Sequence, residues 1–77
     1  MNIYDEIKSE RIRQDSLWGG ANHDDRHTTS DWANYIGDRV KKIQEGQSSL
    51  TTERMGELFL HIAALAVAAL ESIDRKA

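Results

Sequence analysis

His23-Asp-Asp-Arg-His27 sets two imidazoles four residues apart, with two carboxylates and a guanidinium between them. The run lies in a polar stretch bounded by Trp18 and Trp32. Neutral imidazole and carboxylate are ligands for zinc, manganese and other borderline cations, so a divalent metal at His23 and His27 is one expectation. Glu10, Asp15 or His61 would have to complete such a site. The simpler expectation is a solvated loop without a cofactor, in which Asp and His side chains bond local backbone groups. The two tryptophans could sandwich a planar ring, although buried indoles more often anchor a core.

Other chemistry is sparse. Gly19-Gly20 stands alone and makes no phosphate cradle, and no nucleophile has a base at a recognisable spacing, so no residue is assigned a catalytic role. Glu6, Glu10, Arg11, Arg13, Gln14 and Asp15 read most simply as a solvated helix face with i,i+3 pairing. The sharper alternative is that Arg11 and Gln14 reach inward and order the loop. His61 lies in an apolar run and is expected to be a core or interface histidine with one partner, from the His23–His27 loop or the first helix.

Three segments with helical period must position these groups. Ile3, Tyr4, Ile7, Arg11, Gln14 and Leu17 or Trp18 share one face of a helix over about 3–18, closed by Gly19-Gly20. A polar loop over 19–30 follows. Thr29 or Ser30 caps a second helix over 31–45, with Asp31 in its first turn and Trp32, Tyr35, Ile36, Val40 and Ile43 as its stripe. Gly46 ends it, and Gln47-Ser-Ser-Leu50 connects to a third helix over 52–75. The stripe of that helix is Met55, Leu58, Phe59, Ile62, Leu65, Ala66, Ala69 and Ile73, widened by Leu60, Ala63, Ala64, Val67 and Leu70. A helix apolar nearly all round must be covered nearly all round. The expectation is therefore one all-α domain over 1–77, a three-helix arrangement assembled as a homo-oligomeric bundle, with Leu60, Ala64 and Val67 at the interface.

Composition narrows the classes. The 77 residues include no cysteine and no proline, so neither a disulfide nor a thiolate metal site can stabilise a chain that buries only roughly 60% of its unfolded surface. Net charge is −3, with seven acids against four bases in residues 1–31 and six of each beyond. Arg39, Lys41 and Lys42 are the lone basic cluster, which argues against direct nucleic-acid binding. Met1-Asn-Ile-Tyr-Asp-Glu6 lacks the regions of a signal peptide, and the run Leu58–Leu70 is too short to span a bilayer. These features set the expectation of a cytoplasmic protein with no membrane partner.

Glu10-Arg-Ile-Arg-Gln-Asp-Ser-Leu-Trp-Gly-Gly20, His23-Asp-Asp-Arg-His27, Asp31-Trp32 and Ala63-Ala-Leu-Ala-Val-Ala-Ala-Leu-Glu-Ser-Ile-Asp-Arg-Lys76 together resemble a group of short helical proteins of phages and prophages. The opening also resembles longer phage proteins similar to the MazG-like all-α nucleotide pyrophosphohydrolases. In those, a Glu-Glu-x-x-Glu motif after the Trp holds magnesium and a later helix adds Glu-x-x-Asp. The positions here that match the first motif are Asp38, Arg39 and Lys42, and two cations would repel a hard cation. Glu71-Ser-Ile-Asp74 keeps the letters of the second motif at the far end of its helix, and Glu57 is a better-placed remnant without the Asp. The resemblance implies a helical scaffold and a phage origin without the magnesium chemistry.

The expectation that follows is a non-enzymatic phage accessory protein in the bacterial cytoplasm, binding a host protein and inhibiting a host defence system, for example as an anti-CRISPR. The acidic first helix and loop, with Asp24 and Asp25, would make the contact. The alternative is a nucleotide-binding or nucleotide-sequestering protein, with Trp18, Trp32, Arg39 and Lys42 on base and phosphates. A second alternative is a metal-dependent hydrolase working at His23, Asp24, Asp25 and His27.

Overall fold

The computed structural model describes residues 2–46 and 48–77, so Met1 and Gln47, the latter in the expected connection, lie outside the described residues. Four helices and no strand occur among them: α1 (Ile3–Trp18), α2 (Gly20–Asp24), α3 (Thr29–Gly46) and α4 (Thr52–Lys76). The all-α class matches the sequence reading, and the expected three helices become four because α2 forms inside the stretch expected to be loop.

Local chemistry explains the ends. Asn2 caps α1 by accepting from the amides of Tyr4 and Asp5, and Gly19 closes it at φ 98°, where a side chain would be strained. α3 begins one residue earlier than its expected cap positions allow. The Thr28 hydroxyl accepts from the Asp31 amide at 3.1 Å, and the Asp31 carboxylate accepts from the Thr28 amide at 2.8 Å. This reciprocal pair needs a carboxylate three residues after the hydroxyl, a spacing that Thr28 meets and Thr29 and Ser30 do not. Gly46 ends α3 where Leu50 folds back so closely that a Cβ would lie 2.9 Å from its Cγ. Thr51 caps α4 through the Arg54 amide at 3.0 Å.

α4 is the common support. α1, α2 and α3 all pack on it, while α1 and α3 make no packing contact with each other among the described residues. The apolar centre is small: Trp32, Leu65 and Ala68, joined by the half-buried Ile36 and Ala69. Leu58 is buried nearer the start of α4.

The stripe expected on α1 is covered only at its middle, and the one expected on α4 is turned from its predicted direction. On α1 the apolar ends point outward, with Ile3, Tyr4 and Leu17 exposed, while Glu10 and Gln14 are buried. α4 meets α1 at its middle, where Arg11 reaches Glu71 and Glu10 faces His61, so the polar part of the stripe is the part covered. On α4 the buried set is Leu58, Ala64, Leu65, Ala68 and Ser72, whereas Phe59 and Ile73 are exposed. The inward face is rotated toward His61 and Ser72 because those side chains meet polar partners from α1 and from the end of α2. Ala64, expected at an interface between copies, has no exposed surface. Leu60 and Val67 are half-buried.

By length and composition α4 is able to cross a membrane, with a mean hydropathy of 1.6 over 18 of its 25 residues. The expectation of too short a run counted only Leu58–Leu70, and the helix extends past both ends of it.

Candidate functional site

Because α1 and α3 lean on α4 separately, a cleft of about 340 Å³ opens between them. Leu65 and Ala68 of α4 form its floor. Gln14 and Trp18 of α1, His23 and Asp24 of α2, His27 of the following turn, and Trp32, Tyr35 and Arg39 of α3 form its walls.

The aromatic wall is organised around His27. Its ring meets His23 edge-on at 4.7 Å between centroids, Trp32 at 4.9 Å and Tyr35 at 5.2 Å, each nearly perpendicular. Such edge-to-face contacts each stabilise by about 0.5–1.5 kcal/mol beyond burial, so the rings hold one another in place. Trp18 and Tyr35 keep 40% and 38% of their surface open, which leaves indole and phenol faces for a visitor. Arg39 donates to the Tyr35 carbonyl at 3.1 Å and has Asp38 as a carboxylate neighbour at 3.7 Å.

The opposite wall is held by a chain of charged hydrogen bonds. Arg13 grips Glu10 with two bonds of 2.7 and 2.6 Å, and Gln14 donates to the same carboxylate at 3.2 Å. Arg11 donates to Gln14, to Asp24 and to Glu71, and also pairs with Asp15 at 3.1 Å. One guanidinium therefore ties α1 to α2 and α4. The inward reading of Arg11 and Gln14 is the one the structure bears out. No buried side-chain nitrogen or oxygen among the described residues lacks a partner. The Arg13 guanidinium holds the Glu10 carboxyl below its ordinary range despite burial. His61 finds its partner on α1, with Nε2 at 3.7 Å from Glu10. Burial nevertheless pushes its imidazole below the ordinary value, outweighing the attraction of Glu10.

The expected binding residues therefore separate. Trp18, Asp24, Trp32 and Arg39 converge on the cleft. Asp25 turns away to accept from Ser72 at 3.0 Å and from Arg75 at 2.8 Å, so that Arg75 holds its carboxyl below the ordinary range. Lys42 lies along α3 against Asp38 at 3.3 Å and does not line the cleft. His23 and His27 face each other, yet the described residues contain no group of three or more His, Asp or Glu side chains set to hold a metal. Glu10, Asp15 and His61, the candidate completing ligands, are engaged with Arg13, Arg11 and Glu10. Tyr35 was missed as a site residue, although its place three residues after Trp32 puts it on the same helical face.

Compared with protein-family models, with curated proteins and with solved structures, the chain matches none.

Proposed function

We propose that this chain is a binding protein without turnover, whose cleft takes a planar heteroaromatic anion of the nucleotide class. One observation carries the reading: two partly open aromatic faces, Trp18 and Tyr35, share a 340 Å³ cleft with the Arg39 guanidinium. That volume falls in the lower range of small-ligand sites. Ring stacking would hold the base, and Arg39 would meet a phosphate oxygen through charge-assisted hydrogen bonds. Asp24 and Gln14 are bonded to Arg11, which fixes them as walls of the cleft. Titration with nucleoside mono- and triphosphates, followed by tryptophan fluorescence, tests this. Saturable quenching is expected, weakened about tenfold or more by Arg39→Ala, with no release of pyrophosphate. A flat titration across the set overturns the reading.

A second reading keeps the host protein target and the role of a host-defence inhibitor of the anti-CRISPR kind. It is favoured by the apolar side chains that α1 leaves in solvent, Ile3, Tyr4, Ile12 and Leu17. Asp5 and Glu6 lie in the first turn of the same helix. Exposed apolar side chains beside acidic ones suit a basic, partly apolar partner.

A further inference from the structure

We propose that the outer face of α4 is the seat of a second copy of this chain, packed antiparallel about a two-fold axis. The face turned away from α1 and α3 carries Gly56, Phe59, Ala63, Ala66 and Leu70, with Ile73 at its edge beside the groove toward Thr29 and Trp32. Their alternating spacing of three and four is the a/d seam of a helix pair. The seam is symmetric about the midpoint between Ala63 and Ala66. An antiparallel copy therefore sets Gly56 against the partner's Ile73, Phe59 against the partner's Leu70 and Ala63 against the partner's Ala66. Large residues meet small ones at the ends, and two alanines let the backbones approach at the centre. The antiparallel arrangement also opposes the two helix dipoles favourably.

The area agrees with a dimer. Phe59, Leu70 and Ile73 are 57%, 65% and 59% exposed, leaving roughly 100 Å² of each in water. Counted on both copies these give roughly 600 Å², and the half-buried Met55, Ile62, Ala63 and Ala66 with the exposed Gly56 extend it toward the roughly 1,000 Å² of a specific interface. Only 28% of the most apolar window of α4 is buried within one chain. Leu60 lies off this seam, half-buried in a groove it lines together with Ser9 and Arg13 of α1.

Sedimentation equilibrium of the intact protein at tens of micromolar, roughly 100-fold above a submicromolar Kd, should return twice the 8.7 kDa chain mass. Leu70→Glu should return a single chain with unchanged helical circular dichroism, whereas Leu17→Glu on the exposed side of α1 should remain dimeric. The chain contains no cysteine, which gives the direction of packing a clean readout. Gly56→Cys mixed with Ile73→Cys under oxidising conditions should give predominantly the mixed disulfide. Monomeric mass for the unaltered protein overturns the proposal, as does a monomer that partitions onto phosphatidylcholine vesicles through the same face. Exclusive Gly56→Cys homodisulfides overturn the antiparallel arrangement.

Discussion

Arg11 carries more tertiary bonds than any apolar residue of α1 could supply at its place. Its side chain is 11% exposed, and it serves Asp24, which is 7% exposed, together with Glu71 and Asp15. Removing one partner of such a set leaves the other charge buried without compensation. Arg11→Ala is expected to cost about 3 kcal/mol in urea unfolding, and pairing it with Asp24→Asn should recover part of that loss. Arg11→Lys should fall between, because a single ammonium cannot reproduce the fork. His61 gives a second test at this scale. Its folded-state value is depressed, so the unfolded chain binds the extra proton and stability falls as pH drops below about 6.5. Glu10 is also depressed and acts with the same sign in the carboxylate range below it. Melting temperature followed from pH 8 to pH 4 should therefore decline in two stages, and His61→Gln should remove the upper one.

Among the elements, α2 is the one that its own residues advertise least. Gly, Asn, His and Asp are weak helix formers, and five residues cannot sustain a helix alone. It forms because Gly19 and Gly20, at φ 98° and 67°, turn the chain sharply after α1 and because Asp24 is caught by Arg11. Gly19→Ala should then cost about 1–2 kcal/mol, whereas Gly37→Ala, in a helix interior with open space around it, should stabilise by up to about 1 kcal/mol. Thermal unfolding of the two variants side by side checks both signs. The end of α1 was legible because Gly19-Gly20 is a strong stop, the start of α4 was legible to within the pair Thr51 and Thr52, and the start of α3 was misread by two residues among three adjacent hydroxyls. Helix faces were harder to read. The inward turn of Gln14 was read as an alternative from its place on the stripe, but apolar counting cannot foresee that α1 also buries Glu10, because only the partners Arg13 and His61 make that burial tolerable. Ser72 was invisible for the same reason, since its partner Asp25 lies 47 residues away.

At the scale of the whole molecule, the gathering of Trp18, Trp32 and Arg39 in one cleft was half-legible. Each had been picked out for its type, but the wall that joins them depends on α1 and α3 taking opposite shoulders of α4. The same arrangement separated Asp25 and Lys42 from the group, because Arg75 and Asp38 were nearer. It has a mechanical consequence as well. The first and third helices do not pack on each other among the described residues, so a guest reaching from Trp18 to Arg39 would add a direct link between two elements otherwise joined through α4. Tightness of capture and resistance to melting would then be one quantity measured twice, rising together with guest concentration.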